Sequence, residues 1–354
     1  MKAHKVLNFK KTHYCIVCLF TIIVSSCQKK EISSSDNKPI SQLQSFYQEN
    51  LDKCISYLDS LTQSENKLDN YIKSRNYFKK IEPILAFTDS ENYKALNQPN
   101  ILKIEEEDAT DIKFMNPFGF QVNEELIHED NLSNDDLLAV VSKTKNRLEL
   151  IKKNPHLNKI QNYHILWLIL DEIIRVALTG ITGFDSPVLE RSLEEAKISY
   201  KSIQDILSLY KVYFKSDSLY NTWETETSKT IESFNKDFES FNRFIFIKDH
   251  TNKQLELILK TKSDWGVEFP YKLAFNNDLT SLFSSNTFNV SYFSSEKFDT
   301  LSLNKIELGN KLFNETALSK ENNMSCATCH QADKYFTDGK IISDGSTRNS
   351  PTLL

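Results

Sequence analysis

The sequence predicts an all-α protein, a helical bundle over 43–262 followed by a shorter, loopier C-terminal segment. Three observations carry that prediction. Apolar residues recur at helical spacing through the first part, with no convincing strand alternation. The 354-residue chain holds only 7 Gly, well below the usual ~7%. That scarcity argues against Gly-rich phosphate loops, a dinucleotide fingerprint or a turn-dense barrel. The glycines are also uneven: Gly119, Gly180 and Gly183 serve the first 265 residues, and Gly266, Gly309, Gly339 and Gly345 fall in the remainder. A hydrophobic share of 40% is enough for packed cores and excludes a wholly disordered chain.

Residues 1–26 read as an export signal, with Lys2, Lys5, Lys10 and Lys11 ahead of the apolar run Tyr14 to Val24. The run is shorter than the ~20 apolar residues that a membrane-spanning helix needs. Val24-Ser25-Ser26-Cys27 resembles a bacterial lipobox, in which Cys27 becomes the lipidated first residue. That resemblance implies a lipid anchor and a periplasm-facing position in the cell envelope. Residues 27–42, rich in Ser, Lys and Asn, suit a flexible tether. Losing four lysines from a chain of formal charge −5 makes it more acidic still, so nucleic acid is not an expected partner. Six cysteines in this length do not make a disulfide framework. Cys15 and Cys18 leave with the signal, so the redox-like spacing between them is coincidence.

In the helical region, Leu43, Phe46, Tyr47, Leu51, Cys54, Ile55 and Leu58 repeat at three and four. Cys54 lies on that stripe and reads as a small core residue. Leu68 to Leu85 suggests a second helix, and Leu137 to Ile151 another, after the start signal Ser133-Asn134-Asp135-Asp136. Ile165 to Leu178 is the most apolar helix, with Gly180 at the expected C-cap. Long amphipathic patterns follow at about 188–215 and 218–262. The acidic run Glu105 to Asp108 reads as a solvated face or helix start. His128, His156, His164 and His250 stand singly, without metal-ligand spacing.

Two short strings here, Gly119-Phe120-Gln121-Val122-Asn123-Glu124 and Gly180-Ile181-Thr182-Gly183-Phe184-Asp185-Ser186, resemble motifs of imelysin-like envelope proteins. The resemblance implies an all-helical bundle associated with iron or haem handling. Gln121 stands where that family has its His, and an amide is a poorer transition-metal ligand than imidazole.

The chemistry sits further on, in Met324-Ser325-Cys326-Ala327-Thr328-Cys329-His330. The C-x-x-C-H spacing fits c-type haem attachment, with two thiols on one porphyrin edge and an adjacent imidazole as iron ligand. Zinc would need a second Cys/His pair, and a thioredoxin-like dithiol would need an α/β context. The expected cofactor is therefore haem c, held by Cys326 and Cys329 with His330 on the iron.

The flanks extend the pattern. Leu308-Gly309-Asn310-Lys311-Leu312-Phe313, Leu318-Ser319, Tyr335-Phe336-Thr337-Asp338-Gly339 and Arg348-Asn349-Ser350-Pro351-Thr352 occur in order around the haem motif. This series, over 300–354, resembles the first haem half of the di-haem cytochrome c peroxidases and their MauG-like relatives. The aromatic stretch 263–299 resembles the linker of members with an imelysin-like front domain. The resemblance implies an oxidoreductase that reduces hydrogen peroxide with electrons from a small donor such as a cytochrome or cupredoxin. It implies a second haem, expected in a missing C-terminal part, so 300–354 reads as the truncated start of a cytochrome domain and the chain as a fragment. Phe313 and Phe336 are candidates for the haem edge, and Arg348 for a propionate. No catalytic acid or base can be named, since 331–354 contains neither His nor Met. The alternative is a single-haem electron-transfer or haem/iron-handling lipoprotein without peroxidase activity.

Overall fold

In the computed structural model the described residues are 38–106, 112–129, 133–293, 302–344 and 349–352. The export signal and Cys27 lie outside them. The described chain is mainly helical, as expected, and divides into two compact units. The first comprises 38–269 with 278–284, and the second 270–277 with 285 onward.

The first unit is a bundle built around one helix. α1 (Lys38–Leu61) starts inside the stretch expected as tether, with Pro39 in its first turn, where a missing N–H costs no helical bond. Its stripe of Leu43, Leu51, Cys54 and Leu58 is fully buried. Burial pushes the Cys54 thiol up to about 12, and its sulfur lies 3.6 Å from the Ser74 hydroxyl. α2 (Lys67–Thr88) packs against α1 and is buried on several sides, so Arg75, Lys79 and Glu82 enter the core beside Phe78 and Ile81. Fully burying one such apolar side chain contributes about 1.5–3 kcal/mol. α3 (Ser90–Leu96) follows directly, capped by Asp89.

The acidic run then departs from expectation. Lys103–Glu106 forms β1, paired antiparallel with β2 (Ile112–Met115), so Glu105 and Glu106 belong to a strand and not to a helix start. The alternation in Ile112-Lys113-Phe114 is too short to register as a strand pattern. α4 (Phe120–His128) begins at Gly119, whose φ of 114° favours glycine. A Cβ there would clash with the Leu96 carbonyl oxygen.

α5 (Asn134–Lys153) starts at Ser133, as the start signal indicates, with the Asp136 N–H donating to the Ser133 hydroxyl. α6 (Asn162–Arg175) is capped by Gln161 and His164, the His164 Nδ1 accepting from the Gln161 N–H. It runs on through a π-turn, Val176–Gly180, so Gly180 is a buried helical residue and not the expected C-cap. α7 (Ser192–Leu209) packs on α2.

The pattern at 218–262 is not one helix. α8 (Asp217–Ser233) stops at an aromatic turn where Phe234 and Phe241 are buried against Phe246. The apolar rings continue the helical spacing while the backbone reverses. Arg243 fastens the turn by donating to the carbonyls of Ile181, Phe241 and Phe238. α9 (Arg243–Phe246), a π-turn (Ile247–Thr251) and α10 (Asn252–Trp265) complete the bundle, and Gly266 closes it in the left-handed region. Among the described residues no helix is long and apolar enough to cross a membrane.

The second unit has little regular structure. An aromatic turn pairs Phe275 with Phe288. α11 (Leu303–Phe313) has no buried residue. A single helical turn, α12 (Cys326–Cys329), follows.

Candidate functional site

Two places bring chemistry-bearing side chains together, one in each unit. In the first, the strings at 119–124 and 180–186 meet. Glu124 is fully buried and accepts from the Tyr71 hydroxyl, the Ser186 hydroxyl and the backbone N–H groups of Val188 and Leu189. Gln121 is buried too, and its amide donates to the Asn97 carbonyl at 3.0 Å. Asp185 pairs with Lys79 at 2.9 Å and accepts from Asn97. Burial works against its ionisation, but Lys79 and Arg75 hold its carboxyl well below the usual carboxylate range. Arg75 donates two hydrogen bonds to Glu195, both at 2.9 Å, and others to Asn97 and the Asp185 carbonyl.

Glu172 is the exception in this network. Burial first, and then the Glu82 carboxylate, push its pKa up to about 8. As a carboxylate its Oε1 finds no donor among the described residues; as an acid it donates to Glu82. The arrangement ties α2, α4 and α7 to the segment 185–189. Sequence reading missed it because its partners lie far apart in the chain. The available signal was Arg75, Lys79 and Glu82, spaced by four and three on one helical stripe.

His128 and His250 also take internal partners. The His128 Nδ1–H donates to the Glu124 carbonyl, and His250 meets Glu226 at 2.9 Å. The His156 side chain lies outside the described residues.

In the second unit, Cys326, Cys329 and His330 do come together. Ser325 caps α12 reciprocally with Thr328, whose hydroxyl accepts from the Ser325 N–H at 3.0 Å. That one turn puts both thiols on the same side, with Cys326 exposed and Cys329 half-buried. Neither thiol is in a disulfide. The His330 N–H still bonds to the Cys326 carbonyl, at 3.0 Å, which fixes the imidazole to the end of the turn.

The tautomer of His330 follows from its partner. Its Nδ1 lies 2.9 Å from the Phe336 carbonyl oxygen, which can only accept, so Nδ1 carries the proton. Nε2 then keeps its lone pair for a metal. The acceptor is held by a tight turn in which Tyr335 and Phe336 both take the left-handed conformation, at φ 55° and 57°. Such backbone persists in non-glycine residues only where the surroundings enforce it. Here the Phe336 N–H donates to the Gln331 carbonyl at 2.8 Å, and the Thr352 hydroxyl to the Tyr335 carbonyl at 2.7 Å. Ser350 donates to the Cys329 carbonyl at 3.0 Å.

A cavity of about 370 Å3 opens over this turn, lined by Leu318, Met324, Ser325, Cys326, Cys329 and His330. Phe313 and Phe336 meet edge to face at 6.4 Å, while Arg348 lies outside the described residues. Two accessible thiols, an imidazole with a free Nε2 and an apolar opening fit a covalently held haem. Among the described residues no group of three His, Cys, Asp or Glu is placed to hold a bare metal ion.

Residues 303–354 match the family model described as di-haem cytochrome c peroxidase. Over 59 residues the chain is 39% identical to the methylamine utilization protein MauG of Methylophilus methylotrophus, covering 15% of this chain and 18% of that protein. Over 54 residues it is 44% identical to the cytochrome-c peroxidase IdrP2 of Denitromonas iodatirespirans, covering 14% and 15%. The chain thus spans under a fifth of the length of these relatives.

Proposed function

We propose that this chain, whose C-terminal segment is similar to MauG-like di-haem cytochrome c peroxidases, is a c-type haem oxidoreductase that acts on hydrogen peroxide. The observation that carries the reading is the His330 Nδ1–H bond to the Phe336 carbonyl, beside two accessible thiols. Cys326 and Cys329 would hold the haem through thioethers, and His330 Nε2 would bind its iron. The haem supplies one-electron redox chemistry and a site for the peroxide oxygen. The chain's own residues orient and tune it. The Phe336 carbonyl fixes the imidazole plane and increases its donor strength, a role known for partners of metal-bound histidine. Thr352 braces the turn that presents that carbonyl, and Ser350 holds the Cys329 carbonyl at the end of α12. Leu318 and Met324 give the opening an apolar wall that disfavours water.

The finer parts of the proposal rest on the sequence. Lipidation at Cys27 would place the protein on the periplasmic face of the envelope. A small donor such as a cytochrome or cupredoxin would supply electrons, and a second haem would lie in sequence beyond the matched segment. The front bundle keeps its imelysin-like reading as a fold proposal, since Gln121 and Glu124 both serve as internal clamps.

The test is expression with c-type haem maturation, followed by denaturing gel electrophoresis and haem staining. Haem that survives denaturation and vanishes in the Cys326→Ala/Cys329→Ala variant supports the assignment, and its absence from the parent chain overturns it. A ferric high-spin spectrum that responds to peroxide supports the peroxidase. A second reading, electron transfer without peroxide turnover, draws on the exposure of Cys326, which leaves the attachment point at the surface. A low-spin spectrum indifferent to peroxide would favour it.

A further inference from the structure

Two peptide groups decide where the His330 imidazole points, and one short segment grips both. The first is the Cys329–His330 peptide, which carries the donor. Its N–H bonds to the Cys326 carbonyl at 3.0 Å, and its carbonyl accepts from the Ser350 hydroxyl at 3.0 Å. The second is the Tyr335–Phe336 peptide, which precedes the acceptor. Its N–H bonds to the Gln331 carbonyl at 2.8 Å, and its carbonyl accepts from the Thr352 hydroxyl at 2.7 Å. Each peptide plane is thus held at both of its polar ends. The 2.9 Å contact between His330 Nδ1 and the Phe336 carbonyl oxygen spans the two.

Only Pro351 separates Ser350 from Thr352. A proline ring fixes its own φ and restricts the residue before it to extended backbone. The two hydroxyls therefore sit on a stiff spacer, which loses little conformational freedom when they bond. Ser350 is buried. Its proton is committed to the Cys329 carbonyl, so it turns a lone pair toward His330 Nδ1, 3.5 Å away, as a weaker second acceptor. We propose that Ser350-Pro351-Thr352 is a strap that positions the His330 imidazole and so sets the redox potential of the haem held there. The inference rests on the haem reading above. Ser350 and Thr352 are positioning residues, because both act through His330. Donation from Nδ1 makes the ring a stronger ligand and favours ferric iron over ferrous. Loosening the strap lets the Phe336 carbonyl retreat, and the balance moves toward ferrous iron.

The test uses the full chain matured with c-type haem. Thr352→Val keeps the side-chain shape and removes the hydroxyl, Thr352→Ser keeps the hydroxyl, and Ser350→Ala removes the other grip. Haem staining after denaturation comes first: a parent chain without haem overturns the haem reading, and this inference with it. Spectroelectrochemical titration then reads the strap. The potential should rise in Thr352→Val and in Ser350→Ala, and stay at the parent value in Thr352→Ser. In the Ser350→Ala/Thr352→Val double variant the ferrous form should be favoured roughly tenfold at the parent midpoint, which is about 59 mV for one electron. A loss of stability alone would not produce that pattern. With haem attached to the parent, an unmoved potential in the double variant, equal shifts in Thr352→Val and Thr352→Ser, or loss of stained haem from either hydroxyl-deleted variant would each overturn the strap.

Discussion

The two units satisfy their side chains in opposite ways. In the first, even charged groups are buried, and Arg75, Lys79, Asp185 and Glu195 find their partners inside the unit. In the second, α11 buries nothing, and Leu303, Ile306, Leu308, Leu312, Leu318 and Met324 stand exposed. Buried charges tolerate no missing partner, because the group left behind is desolvated and uncompensated. Of these, Leu318 and Met324 line the opening at the two thiols, and covering such side chains is favourable. The first unit pairs its own buried charges, and the second leaves apolar side chains uncovered.

The sharpest way to break this comparison is at the thiols. Cys326→Ala/Cys329→Ala should abolish covalent haem entirely while leaving the denaturant-unfolding midpoint of the helical unit unchanged. Loss of helical structure in that variant, read by circular dichroism, would show that the units are not independent in this way. Next in size is Arg75→Met, which strands Glu195. It should cost the helical unit about 3–5 kcal/mol, as breaking a buried pair does, measured by chemical denaturation.

An effect of comparable size should appear with pH. Glu172 holds its proton up to about 8 in the folded protein, against about 4.3 for an unperturbed carboxyl. Between those values the folded state binds the extra proton, so stability should fall as pH rises, by up to about 1.4 kcal/mol per pH unit, and level off above 8. Glu172→Gln should flatten that fall, and an unchanged pH profile would contradict the protonated assignment. Asp185 acts in the opposite sense and only in acid, since its depressed pKa keeps it charged throughout that window. Smallest of all is Ser350→Ala, which removes the bond to the Cys329 carbonyl. It should lower the thermal stability of the haem-loaded segment by about 1 kcal/mol, with the haem still attached.

What could be read beforehand follows the same division. The proposed haem site was legible because its candidate residues are contiguous: Cys326, Cys329 and His330 fall within one helical turn and its cap, and spacing alone sets their geometry. Most of the helices were legible through periodicity, and Ser133 announced α5. The buried network was not legible, since Arg75 meets Glu195 and Lys79 meets Asp185 only after the chain has folded back. The break in 218–262 was hidden because Phe234 and Phe241 keep an apolar rhythm while the backbone turns. The Phe336 carbonyl was equally out of reach, because a backbone atom in a left-handed turn leaves no mark in side-chain patterns.

Cys54 has a consequence for how the protein matures. Thiol exchange needs a thiolate, and a sulfur sealed in the core with its pKa near 12 supplies almost none at neutral pH. Among the described residues Cys326 and Cys329 therefore have no accessible rival thiol to trap either of them as a mixed disulfide. Folding of the bundle would work as a quarantine, keeping the pair available for the proposed haem.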